Sequence, residues 1–185
     1  MAIIKPNNNT LSAITALPAD ILTGTLPAIS GANLTGISAG ILVADNWRLT
    51  SNVTSDTNPL TNWERVDGTG QGTLGTAMNF SSGSFTFPQT GIWFVSSSCL
   101  VQEGSSTDNL LQFTMTIGGT DIMQIYQETA MTSGFTTGYN STLLDITDTS
   151  TAIQFRFVNV TAGAALRGNS TSNETNATFI RLGDT

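Results

Sequence analysis

The chain has 185 residues, a net charge of −7, a single lysine (Lys5) and no histidine. The acidic balance excludes a protein that grips nucleic-acid phosphates, and the missing histidine excludes Ser-His-Asp and Cys-His nucleophilic sites and the histidine-bearing zinc motifs. Only 10% of residues are charged, but 39% are hydrophobic, enough to build a core for one domain.

Residues 1–16 begin polar, with Asn7, Asn8 and Asn9 in a row, and read as an irregular arm. The start MAIIKPNNNT has no basic region, apolar core and cleavage site in sequence, so the expectation is a protein made without an export signal. No apolar run reaches the length of a bilayer span, so no membrane insertion is expected.

Residues 17–44 carry an imperfect repeat: LPADILTGT, LPAISGAN and LTGISAG. Pro18 and Pro27 exclude a continuous helix, and glycines supply turns between the units. One copy cannot bury Leu22, Leu26, Ile29, Leu34, Ile37 and Ile41, whereas several copies side by side can turn them toward a common axis. The segment therefore reads as the shaft of an oligomer, most simply a trimer; the other reading is a flexible linker.

From Trp47 onward the texture is that of strands. NWRLTS (46–51), SFTF (84–87), GIWFVSSSCLV (91–101), LLQFTMTIG (110–118), DIMQIYQE (121–128), YNSTLLDI (139–146), TAIQFRFVNV (151–160) and NATFIRL (176–182) give about eight, spaced by turn signals, with 110–128 a hairpin across Gly118-Gly119-Thr120. That spacing predicts an all-β fold, an antiparallel sandwich over residues 45–185. Two runs are apolar on both faces, 92–95 and 179–182. A sandwich strand normally keeps one wet face, so a neighbouring subunit is expected to cover Trp93, Val95, Phe179, Ile180 and Leu182.

The stretch NFSSGSFTFPQTGIWFVSSSCLV, with Phe80, Gly83, Phe85, Phe87, Pro88, Gly91, Trp93 and Phe94, resembles the signature of the jelly-roll superfamily that contains the complement globular heads and tumour necrosis factor. STLLDITDTSTAIQFRFVNV and the ending NATFIRLG are similar to its later strands. The resemblance covers residues 45–185. It implies a trimer in which the strand after the Gly-x-aromatic motif and the C-terminal strand lie in the inner sheet, toward the threefold axis. The segment LPAISGANLTGIS is in turn similar to repeats of phage tail-fibre proteins, though only about three units are present.

The remaining chemistry is sparse. GTGQGTLG (68–75) reads as a plain turn, since neither a helix nor a lysine follows. Glu103, Asp108, Asp121, Glu128, Asp145 and Asp148 could include a glycosidase pair, but they sit at strand ends and turns, where acidic residues shape the chain. No loop has the carboxylate density of a dedicated calcium site. Cys99 reads as a buried small residue. Trp47 and Trp63 read as packing residues, with stacking on a sugar as the alternative. Neither an enzyme nor a bound metal or cofactor is expected.

Together these readings lead to a homotrimeric virion appendage, a short phage tail fibre. Its arm would dock on a tail or baseplate protein, and its head would attach to a host-surface glycan or protein through polar loops such as 104–109 and 129–138. A capsid decoration or head fibre is the alternative reading. A secreted trimeric signalling ligand of the complement or tumour necrosis factor type comes third, and a glycan hydrolase last.

Overall fold

The structure is a computed structural model, and it describes residues 40–104, 110–127, 134–161 and 163–185. Ser38–Thr185 forms one compact unit. The arm and the proposed shaft residues Leu22, Leu26, Ile29, Leu34 and Ile37 lie outside the described residues.

Eleven strands are described: β1 (Val43–Leu49), β2 (Trp63–Arg65), β3 (Asn79–Ser81), β4 (Ser84–Thr86), β5 (Gly91–Gln102), β6 (Leu111–Ile117), β7 (Thr120–Gln127), β8 (Phe135–Ile146), β9 (Ala152–Val158), β10 (Ala165–Leu166) and β11 (Asn176–Gly183). They form two antiparallel sheets, the jelly-roll sandwich that the alternation in the sequence predicts. In one sheet β5 lies between β8 on one side and β11 and β10 on the other, and β11 continues to β1 and β2. The other runs β3-β4-β9-β6-β7. Strands β2, β3 and β10 are two or three residues long, too short to show a period of two, and the sequence reading missed them. Strand β8 begins at Phe135, so residues 135–138, expected in a binding loop, belong to the ladder instead.

The core between the sheets is aromatic. Phe85 is fully buried, and its ring meets those of Trp47, Trp63, Phe80, Phe155 and Phe179 at centroid distances of 4.6–5.9 Å. Several of these pairs are edge-on, the arrangement that aromatic quadrupoles favour. Trp47 and Trp63 are thus packing residues, at 7% and 6% exposed.

The expectation that Trp93, Val95 and Phe179 face a neighbouring copy is corrected. All three are fully buried within one chain. The reason is strand parity: Phe179 pairs with Val95, and both point into the sandwich, so Phe94 and its partner Ile180 point out. A doubly apolar run contains both faces, and the sequence alone does not say which face belongs to which neighbour.

The motif residues divide in the same way. Gly83 closes the β3–β4 turn at φ +83°, with Pro59 where a Cβ would stand. Phe85 and Phe87 enter the core. Gly91 opens β5 at φ +131°, where an added Cβ would collide with the Gly183 carbonyl and the Arg181 guanidinium. Gly91→Ala is therefore expected to lower stability by more than about 1 kcal/mol, read as a shift of the urea midpoint. Gly72→Ala, at an open position with an ordinary φ, is expected to stay within about 0.5 kcal/mol of the parent.

One buried ionic cluster braces β1. The Asp45 carboxylate is fully buried and accepts hydrogen bonds from the Asn46 and Met78 amides, the Trp47 indole and Arg65 Nε. Arg65 also lies over the Trp47 ring, 4.6 Å from its centroid. Arg48, itself buried, pairs with Glu64 and Asp67, each at 2.7 Å. Burying these charges is tolerable because each is partnered.

Candidate functional site: the outer face of β8, β5 and β11

Among the exposed apolar residues, Phe135, Tyr139, Leu143 and Leu182 lie on the outer side of the sheet built by β8, β5 and β11, while Ile122 and Tyr126 lie on β7 of the other sheet. On β5 the outward residues are Ile92, Phe94, Ser96, Ser98, Leu100 and Gln102. The register sets Phe94 opposite Leu143, Ser96 opposite Ser141, Ser98 opposite Tyr139 and Gln102 opposite Phe135. On its other side Phe94 faces Ile180, and Ser96 faces Thr178. The outward side chains of β8 are bare: Phe135, Tyr139 and Leu143 are 63%, 65% and 61% exposed.

The face is graded. Toward the end where β1 begins, Phe94, Leu143, Ile180 and Leu182 form an apolar patch, extended by exposed Ile41 and Leu42. Its middle carries small polar side chains, Ser96, Ser141 and Thr178. At the far end Phe135 lies against the Arg167 guanidinium, 6.0 Å from ring centroid to Cζ. Of the residues the sequence placed at a subunit interface, Ile180 and Leu182 lie on this face, with Ile180 half-buried and Leu182 exposed. Phe94, Tyr139 and Leu143 were missed. The Leu143-Leu144 doublet held a signal: on a strand one of the two must point outward, and here it is Leu143, while Leu144 is buried.

The carboxylates expected at turns take several roles. Asp148 accepts a hydrogen bond from the Ser150 amide at 2.8 Å, which holds its carboxyl below the usual range. Asp121 binds Arg156 and Gln124 on the outer side of the second sheet. Asp145 is exposed on β8. Glu103 is buried at the end of β5, and Asp108 and Glu128 lie outside the described residues. The GTGQGTLG segment is an exposed loop with no helix after it.

Cys99 is buried on the core side of β5, and burial pushes its thiol up from 9.0 to about 12. The thiol should be inert to a disulfide reagent at neutral pH in the folded protein and react promptly in denaturant. The shift also has a sign for stability. The unfolded chain loses this proton first, so the neutral thiol favours the fold below about pH 9, and that contribution falls as pH rises toward 12.

The fold has known counterparts. The structure of Eiger TNF from S. frugiperda matches at a TM-score of 0.58 and 14% identity, covering 80% of this chain and 96% of that one. Murine APRIL at pH 8.5 matches at 0.53 and 14%, covering 76% of this chain and 98% of that one; the same protein at pH 5.0 gives 0.54 and 13% over the same shares. At such identities the similarity shows the fold, a jelly roll of the tumour necrosis factor type. No family model matches the chain, and neither does any curated protein.

The tail-fibre reading is corrected by these matches. The head's similarity runs to proteins of the tumour necrosis factor kind. The signalling-ligand reading, ranked third from the sequence, fits them better than an appendage on a virion. The tail-fibre ranking rested on the short repeat of residues 17–44, of which 17–39 lie outside the described residues. The resemblance to the tumour necrosis factor superfamily drew on the strands, which the structure does describe.

Proposed function

We propose that the protein is a homotrimeric jelly-roll ligand that binds a receptor on a cell surface, acting by multivalent association rather than by catalysis. Its three copies pack the outer faces of β8, β5 and β11 around a common axis. The observation that carries this reading is the outward apolar patch of half-buried Phe94 and Ile180 with exposed Leu143 and Leu182, in a fold shared with Eiger TNF and APRIL. Exposed, contiguous apolar patches of this kind mark protein interfaces. A second copy of the same surface suits it: Phe94, Leu143 and Ile180 are uncharged, small polar residues follow them along the strands, and Asp145 stands at one edge beside Ile92, so equivalent strips can meet around a symmetry axis.

A trimer presents three equal receptor sites, so weak individual contacts add through effective concentration. Such a ligand works outside the cell, where its receptor is displayed. The absence of histidine supports a binding role, because it removes the commonest general base. The test is a saturation binding assay with fluorescent protein on intact cells of the source organism and its neighbours. The reading expects saturable binding to one cell type, lost when monomeric protein replaces the assembly. Binding that is non-saturable on every cell tested, or identical for monomer and assembly, contradicts it.

A further inference from the structure

At the end of the sandwich away from Val43 and Gly183, a cavity of about 600 Å³ opens between the loop after β1, the residue before β6 and the residues after β9. Its lining includes Thr54, Asp56, Leu110, Asn159, Val160 and Thr161, and none of the described lining residues is basic.

Two of these residues hold backbone conformations that side chains rarely adopt: Leu110 at φ +74° and Asn159 at φ +62°. Asparagine tolerates the left-handed region, but leucine there is strained. Asn159 Nδ2 donates to the Leu110 carbonyl at 3.3 Å, and Asp56 Oδ1 accepts the Val160 amide at 2.8 Å. The loop carrying Asp56 is pinned to the sheet by a reciprocal pair of backbone bonds between Thr57 and Phe157. The outcome is an open depression with two apolar side chains, Leu110 and Val160, on its lining and an exposed carboxylate held through one oxygen, leaving the other for a ligand. Leu110 is 54% exposed, although the strain it carries would be relieved by a glycine or asparagine. Strain that persists at an exposed apolar residue points to a role in binding.

We infer that this cavity receives a lysine side chain presented on a loop of a partner protein. The alkyl stem lies along Leu110 and Val160, and the ammonium reaches the second oxygen of Asp56 and the neighbouring threonine hydroxyls. A lysine matches this combination of apolar stem and cationic tip, and the chain's net charge of −7 favours the approach of a basic partner. A single charge contact in so open a cavity selects a side chain already positioned by a larger surface, not a free amine. The described residues that line the site all belong to one chain.

The probe is the peptide acetyl-Gly-Lys-Gly-amide, titrated into isotope-labelled full-length protein and followed by amide NMR shifts. The expected result is saturable change at Ser55, Asp56, Val160 and Thr161, with the norleucine and glutamate peptides at least about tenfold weaker. Asp56→Asn keeps an acceptor for the Val160 amide but removes the charge, and should weaken the lysine peptide by about tenfold. Leu110→Asn suits the left-handed backbone, so it should fold with a higher thermal midpoint while binding more weakly. Equal binding by norleucine or glutamate, or no effect of Asp56→Asn, overturns the assignment. Butylammonium saturating the same amides as tightly as the peptide overturns the choice of a protein loop as the occupant.

Discussion

Leu143→Glu is expected to convert the assembled protein into a folded monomer. Leu143 stands 61% exposed on β8, directly across from Phe94, whose other neighbour is Ile180. In an isolated chain the substitution touches no core atom, so the sandwich should keep its strand content and its cooperative unfolding. In the proposed trimer three glutamates converge on one apolar patch. Each loses its water without gaining a partner, and an unpaired buried charge costs several kcal/mol. The three also repel one another. Light scattering coupled to size exclusion should show the parent at trimeric mass and the variant at one-third of it, with matching circular dichroism. A variant that keeps the parent's mass would mean that β8 does not face another copy.

Phe85→Ala acts in the core, from β4 of the second sheet, and should produce the largest loss of stability in the head. Five aromatic rings lean on Phe85 from both sheets, and none can close the void without leaving its own partners. Removing a buried phenylalanine costs about 3–5 kcal/mol, a large share of the roughly 5–15 kcal/mol that holds a typical domain together. The denaturant midpoint should fall accordingly, with little change in slope. Phe94→Ala is the informative contrast. Phe94 is only half-buried in one chain, so its loss should spare the fold and weaken the assembly. Comparable losses of fold stability from both would mean that Phe94 belongs to the core and not to the outer face of β5.

That contrast also shows what the sequence made legible. Alternation in LLQFTMTIG and TAIQFRFVNV gave the sandwich and its long strands, because successive side chains turn to opposite faces and only the core-facing set is apolar, although Gln112, Thr114 and Thr116 on the other face of β6 are themselves buried. The Phe80-to-Phe94 motif pointed to the right fold, and each of its residues has a place in the turn, the core or the outer face. Parity was the point of failure. In GIWFVSSS both faces are apolar at the start, and nothing local says whether Trp93 or Phe94 turns inward; the pairing of β5 with β8 and β11 decides it. Asp45 and Arg48 were illegible for a related reason. Their burial depends on Arg65, Met78, Glu64 and Asp67, which are distant in sequence. The cavity beside Leu110 has no sequence signal, since a positive φ at leucine is set by the surrounding loops. The ranking of functions failed where it leaned on a short repeat more than on the strands.

The account rests on the apolar outer face of β8, β5 and β11 being covered by copies of itself. Sedimentation equilibrium of the full chain at micromolar concentration tests that most directly. A species of about 58 kDa, three times the 19.4 kDa chain, is the predicted result. A single species at the mass of one chain across the concentration range would contradict it.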